Sequence, residues 1–219
     1  TAANAQPGVN IGVSIAAGVF EAEGAKETFS GTHASDAAST EVNKKASDEG
    51  DEAEAAYAIG SIFAELQFSD RIAIGVDYVP HSLDTETTEN KQNMSPVLTG
   101  DDAQNRVNTV QVDFVDYTTV YALVNVNENV FIKIGYSEVE AETNESLSTG
   151  GAYDNHTFDG MTAGIGYMRD LDNGAFMRME VNYTEFDGVK LTNKNDSNKS
   201  VTLDGIEGYG AKVSLGKSF

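Results

Sequence analysis

Apolar residues alternate with small or polar residues along most of this 219-residue chain. The clearest stretch is residues 205–219, where Tyr209, Val213 and Phe219 share one face with other apolar residues. A period of two predicts a β-strand with one apolar face. Tyr209 and Phe219 are ten residues apart, which is about 24 Å along the membrane normal for a strand tilted near 45°. That distance matches the apolar band of a transmembrane barrel, about 25 Å tall with aromatic girdles at both edges.

The same alternation predicts eight strands joined by connections that are alternately long and short. The alternation is ambiguous near residues 116–119, which predicts a bulge or an extension above the membrane. The predicted strands lie within residues 9–20, 56–68, 72–78, 110–126, 130–137, 161–167, 175–183 and 205–219. The predicted long loops are residues 21–52, 81–108, 138–156 and 187–200. In transmembrane barrels short turns face the periplasm and long loops face outward, and an even strand count returns both ends to the periplasm.

The amino-acid composition excludes several kinds of structure and partner. The chain has no Cys, which excludes disulfides and thiolate chemistry. It has no run of eighteen apolar residues, which excludes a membrane-spanning helix. The net charge of -21 argues against nucleic acid as a partner, because no basic patch could displace phosphate counterions. Nothing before Val9 has the apolar core of a signal peptide, and residues 3–5 resemble a cleavage site.

A final strand of this pattern that ends on an aromatic, Phe219, resembles the closing strand and assembly signal of bacterial outer-membrane β-barrels. Lys217 departs from the apolar or aromatic residue usual at that position in the family. Residues 121–136 and 160–183 look most like the small barrels of the outer membrane protein A and X type. The resemblance implies that residues 1–219 form a single domain in a bacterial outer membrane, a closed eight-stranded antiparallel transmembrane β-barrel. Such barrels host many roles, so the fold alone does not assign one.

The predicted barrel has two aromatic girdles and a charged interior. An eight-stranded barrel is too narrow for an open aqueous channel, and buried charges must be paired. We therefore predict an internal salt-bridge network that fills the lumen; a narrow or gated pore is the alternative. The predicted inward charges are Glu65, Asp77, Lys133, Arg178, Glu180 and Lys212. The predicted girdles comprise Tyr78, Tyr136, Tyr183 and Tyr209 at the outer rim, and Phe68, Tyr167 and Phe219 at the inner rim.

The sequence predicts a non-enzymatic role carried by four long acidic outer loops: adhesion, a surface layer or self-association. No nucleophile motif and no His pair at metal-ligand spacing is present, so no catalytic, metal or cofactor site is predicted. The expected partners are outer-membrane lipid, lipopolysaccharide and further copies of the chain. Calcium or another divalent cation could bridge the acidic clusters. These clusters are Asp48, Glu49, Asp51 and Glu52, and Glu138, Glu140, Glu142 and Glu145.

The remaining alternative is a soluble, lipocalin-like barrel, which also has eight alternating strands. In that class the apolar face points inward around a ligand. Here the face opposite the apolar residues is Gly, Ser and charged residues, which would line a ligand cavity poorly.

Overall fold

The computed structural model describes residues 8–23, 26–29, 52–84, 88–94, 104–147, 152–195, 197 and 199–219. The predicted acidic residues Asp48, Glu49 and Asp51 lie outside these ranges, as do residues 3–5. Glu52 and Glu145 lie in described strands, but their side chains are outside the description.

The described residues are almost entirely β-strand, as the alternation of side chains predicts. A 3-10 turn, Asp172–Gly174, interrupts them, with positive φ at Asn173 and Gly174. None of the described residues forms a helix long and apolar enough to cross a membrane. The strands are β1 (Gly8–Glu23), β2 (Lys26–Phe29), β3 (Glu52–Ser69), β4 (Ile72–Tyr78), β5 (Leu83–Asp84), β6 (Thr88–Met94), β7 (Gln104–Asn125), β8 (Val130–Leu147), β9 (His156–Asp170), β10 (Ala175–Thr192) and β11 (Lys199–Ser218).

Eight of these strands form a closed ring. Its order is β1-β3-β4-β7-β8-β9-β10-β11, every neighbouring pair is antiparallel, and β11 pairs back with β1. The short strands β2, β5 and β6 extend the pairing of β11 and β7 at the end where the long connections lie. We call this the loop end, and the opposite end, with short turns at residues 70–71, 126–129 and 171–174, the turn end. The predicted eight-stranded closed barrel is confirmed.

The outward face of the ring is apolar over the turn-end half of each strand. Val181, for example, is 58% exposed. Its neighbours in the same band include Val13, Ile15, Ile62, Leu66, Ile74, Val120, Ile132, Ile134, Ile165, Met179, Val213 and Leu215. A continuous apolar surface of this kind is stable in lipid and not in water. The soluble alternative is therefore wrong, and the protein spans a membrane with these strands.

Several predicted loops are in fact strand, which corrects the predicted boundaries. β8 continues to Leu147, β10 continues to Thr192, and β11 begins at Lys199. His156 is the first residue of β9 rather than part of a loop. The 22 residues of β7 correspond to about 70 Å of strand. The barrel wall therefore continues well past the roughly 25 Å apolar band; we call the part beyond Tyr183 and Tyr209 the outer extension.

The predicted irregularity near residues 116–119 is confirmed. The β7–β8 register shifts between Val115 and Thr118, and Asp116 has a φ of 55°. The Asp116 carboxylate accepts a hydrogen bond of 2.8 Å from the Tyr78 hydroxyl. The bulge thus joins the end of β4 to β7 at the start of the outer extension.

The outer extension has an apolar interior. Val139, Phe158, Phe186 and Ile206 are buried there in one cluster, and the Phe20 and Tyr117 rings pack against it. The residues that alternate with them on the outside are acidic, such as Glu138 before Val139 and Glu185 before Phe186. Beyond the apolar band, the inward side chains are therefore apolar and the outward side chains are polar, the reverse of the arrangement within it.

Candidate functional site in the barrel lumen

The six charges predicted to face inward lie in the lumen as three ion pairs. Glu65 pairs with Arg178, Lys133 with Glu180, and Asp77 with Lys212 at 2.9 Å. Each pair joins strands that are not neighbours in the ring: β3 with β10, β8 with β10, and β4 with β11. Among the described residues these three positive and three negative side chains balance one another, as burial in a low dielectric requires.

The Glu65–Arg178 pair is the most completely satisfied of the three. Glu65 is 2% exposed, and the Arg178 guanidinium donates to both of its carboxylate oxygens, at 2.7 Å for Oε2. The same carboxylate accepts from the Tyr121 hydroxyl at 2.7 Å and from the Asn10 amide at 3.0 Å. Such bidentate, charge-assisted bonding fixes both side chains.

Aromatic rings surround this ion pair. The Arg178 guanidinium lies 4.5 Å from the Phe176 ring centroid, 5.6 Å from that of Phe63 and 5.7 Å from that of Phe131. These distances are in the range of cation–π attraction. We call Phe63, Tyr121, Phe131 and Phe176 the aromatic septum.

Each ring of the septum lies over a glycine on the neighbouring strand. The pairs in register are Phe63 with Gly12, Tyr121 with Gly75, Phe131 with Gly166 and Phe176 with Gly216. A Cβ built on any of these glycines would come closer than 3.0 Å to the ring. The glycines therefore supply the space that the rings fill, and together the four pairs involve all eight barrel strands.

The septum separates a wide space from two narrow ones. At the turn end a vestibule of about 490 Å³ reaches Phe176, Arg178 and Leu123. Above it, the cavities around the ion pairs measure only about 10 Å³ and about 30 Å³. A cavity of that size holds one or two water molecules at most, so the described lumen is closed at the septum.

A chain of buried hydroxyls lies on the loop-end side of the ion pairs. Thr119, Ser137, Thr162 and Thr184 are linked in that order by hydrogen bonds of 2.9, 2.7 and 2.8 Å. They stand on four successive strands, β7 to β10. On the opposite wall the Ser14 hydroxyl donates to that of Ser214 at 2.9 Å.

The predicted girdle residues lie on the outward face. Tyr136, Tyr167 and Tyr209 are exposed, Phe219 is the most exposed, and Tyr78 and Tyr183 are half-buried. The Tyr183 and Tyr209 rings contact each other with centroids 5.1 Å apart. Their hydroxyls point to the start of the outer extension, where they donate to Glu185 at 3.4 Å and to Glu207 at 2.7 Å.

A row of carboxylates faces outward directly above these tyrosines. In register across four neighbouring strands it runs Glu54, Glu21, Glu207 and Glu185. Like charges directly opposite each other in a sheet repel. The predicted cluster Glu138, Glu140 and Glu142 also faces outward, on β8. Among the described residues, no group of three or more His, Cys, Asp or Glu side chains is placed to hold a metal ion by itself.

Sequence reasoning missed the septum, the hydroxyl chain and the carboxylate row. The aromatic–glycine contacts depend on register between strands, which the chain does not display directly. The outward carboxylates of β8 did leave a signal. Charged and apolar residues alternate strictly over Glu138, Val139, Glu140, Ala141 and Glu142, a strand pattern with the polarity reversed.

The comparisons with known proteins support the fold. Neither a protein-family profile nor a curated protein matches this chain. Among solved structures it is similar to the outer membrane protein OprG from Pseudomonas aeruginosa, with 10% identity, 97% of this chain and 96% of that chain covered, and a TM-score of 0.50. It is also similar to the outer membrane protein AlkL in lipid bilayers, with 10% identity, 100% and 93% coverage, and a TM-score of 0.54.

The fold is thus that of bacterial outer-membrane barrels, in agreement with the resemblance and the location predicted from the sequence. The matches also include an enzyme, the outer membrane protease OmpT from Escherichia coli, at 12% identity, 97% and 96% coverage, and a TM-score of 0.41. Because one fold hosts many unrelated functions, the fold by itself leaves open whether this chain is an enzyme.

Proposed function

We propose that this chain, an eight-stranded barrel with the fold of outer-membrane proteins, is a closed, non-catalytic barrel of a bacterial outer membrane whose acidic outer surface binds its surroundings. The observation that carries the proposal is the outward row Glu54, Glu21, Glu207 and Glu185, immediately beyond the Tyr183–Tyr209 contact. Aromatic girdles lie at the headgroup level of a membrane. The carboxylates then lie among the phosphates of lipopolysaccharide.

Two negatively charged surfaces repel each other, and a divalent cation bound between them offsets that repulsion. Divalent cations such as Mg²⁺ and Ca²⁺ take oxygen ligands from carboxylates and phosphates. Since no described group of side chains is placed to hold a metal alone, lipid phosphates complete the coordination in this proposal. The same bridge can join two copies of the chain side by side.

The closed lumen supports a surface role over transport. The Glu65–Arg178 pair and the aromatic septum block the path between the vestibule and the loop end. A pore would require the rings of the septum to move apart. Reproducible conductance steps in planar bilayers that change on Lys133→Ala would favour the pore instead.

The experiment compares two triple variants that remove the same charge from opposite ends of the barrel. E21Q/E185Q/E207Q neutralises three of the four carboxylates of the outer row, and D70N/D170N/D172N neutralises three exposed carboxylates of the turn end. Lipopolysaccharide that copurifies with the detergent-extracted barrel is measured with Mg²⁺ and after chelation. We expect wild type and the turn-end variant to retain several-fold more lipopolysaccharide with Mg²⁺ than the outer-row variant.

Chelation should reduce wild type to the level of the outer-row variant. Equal retention by all three proteins, or retention that survives chelation, would contradict the proposal. Folding of each variant is checked by the shift of the unboiled band on a gel, which a closed barrel shows.

A further inference from the structure

The inner cavity of about 30 Å³ lies between the ion pairs and the hydroxyl chain. Its polar lining includes Lys133, Lys212, Asp77, Thr119, Thr184 and Asn182. Ala16, Ile59 and Val79, which form a buried apolar cluster, also line it. The cavity exceeds the roughly 10–15 Å³ that one water molecule needs.

The charge that lines this cavity is positive. Lys133 and Lys212 are both among its lining residues, but Asp77 is the one carboxylate there. Glu180, the partner of Lys133, lines only the adjoining cavity of about 10 Å³, which Lys133, Lys212 and Asp77 line as well. Two ammonium groups and one carboxylate give a net charge of +1 around the cavity, although the charges of the three ion pairs balance one another.

Hydrogen-bond donors of both lysines remain available at the same place. An ammonium group has three N–H donors. Among the described residues Lys133 gives one to Glu180 and Lys212 gives one to Asp77, so two remain on each lysine. The four hydroxyls of the chain form three mutual bonds, so one O–H has no acceptor within the chain.

We propose that this cavity is a binding site for a small monovalent anion of halide size, held by Lys133, Lys212 and the hydroxyl chain. An anion accepts hydrogen bonds and donates none, so it matches a donor-rich lining better than water, which donates as many bonds as it accepts. Its charge also complements the +1 of the lining. In this low-dielectric interior both interactions are stronger than in water.

The test uses crystals of the full barrel grown with bromide in place of chloride and measured at the bromine absorption edge. We expect an anomalous peak in the cavity between Lys133 and Lys212. Ordered water without an anomalous peak at that place would overturn the proposal.

Thr184→Val removes one lining hydroxyl and retains its shape, and we expect it to lower the bromide peak several-fold. Ser14→Ala is the matched control, because it removes a buried hydroxyl that bonds Ser214 and does not line this cavity. It should keep the peak at the wild-type height. In detergent solution, halide should raise the unfolding temperature of wild type and Ser14→Ala above that in gluconate at equal ionic strength. An identical unfolding temperature in both anions for wild type would count against the site.

Discussion

The membrane-embedded part and the outer extension of this barrel use the same strands with opposite polarity. On β10, Val181 is 58% exposed beside the buried Glu180, whereas five residues later Phe186 is 3% exposed beside the outward Glu185. The backbone of β10 does not distinguish the two parts, since β10 pairs with β11 in one register through both. The surroundings alone differ: lipid around one part, water and headgroups around the other.

The comparison shows that the end of the apolar band is not the end of the barrel. In lipid the polar groups must turn inward, where they require partners. In water the apolar groups can turn inward, where they pack around Phe158 and Phe186. The embedded part therefore depends on ion pairs for its interior, and the outer extension depends on an ordinary hydrophobic core.

Removing one charge from the interior of the embedded part should have the largest effect on stability. Glu65→Leu leaves the Arg178 guanidinium buried and unpaired among aromatic rings. We expect the free energy of unfolding, measured with denaturant in lipid vesicles, to fall by about 3–5 kcal/mol.

The double variant E65L/R178M is its control, because it removes both charges together. Replacing a whole buried ion pair with apolar side chains is often neutral, so the double variant should recover most of the lost stability. A single variant as stable as wild type would mean that the septum does not depend on this pair.

A charge introduced on the outward face should lower stability in the embedded part but not in the outer extension. Met179 lies midway between Ala175 and Tyr183 on β10, and Met179→Arg puts a charge near the centre of the apolar band. We expect a loss of about 2–4 kcal/mol in the same unfolding measurement. Glu185→Arg, on the same face beyond Tyr183, should not lower stability, because it replaces the repulsion between Glu185 and Glu207 with an attraction. An equal loss in the free energy of unfolding at the two positions would mean that the membrane boundary does not lie between them.

The smallest expected effect concerns repulsion in the outer row. Glu207 lies in register between Glu21 and Glu185. Glu207→Gln should therefore raise the free energy of unfolding by about 0.2–1 kcal/mol at low salt. The gain should shrink as added salt screens the carboxylates. A loss of stability at low salt would show that the row is already neutralised by bound cations.

Much of the embedded barrel could be predicted from the sequence, because lipid enforces a strict alternation. The strand at residues 72–78 was predicted with both of its observed bounds, since Pro80 follows it and a short turn precedes it. The inward side of Glu65, Lys133 and Arg178 followed from the apolar residues on either side of each. Their partners did not, because each ion pair crosses the lumen between strands that are not neighbours.

The outer extension was missed because its polarity is reversed. Glu138, Glu140 and Glu142 were interpreted as a loop because acidic residues are typical of loops, yet Val139 and Ala141 between them are buried. A search for alternation of either sign would have extended β8 beyond the girdle. The close fit of Phe131 on Gly166 depends on side-chain volume across two strands, and no single-strand pattern contains it.

Strand β10 contributes a side chain to two of the three ion pairs, Arg178 to one and Glu180 to another. Under mechanical load, pulling β10 out of the wall must break both of these ion pairs at once, together with its backbone hydrogen bonds to β9 and β11. Removing β4 breaks one of the ion pairs, through Asp77. Resistance to forced extraction is therefore greatest for β10, and we expect other strands to detach first.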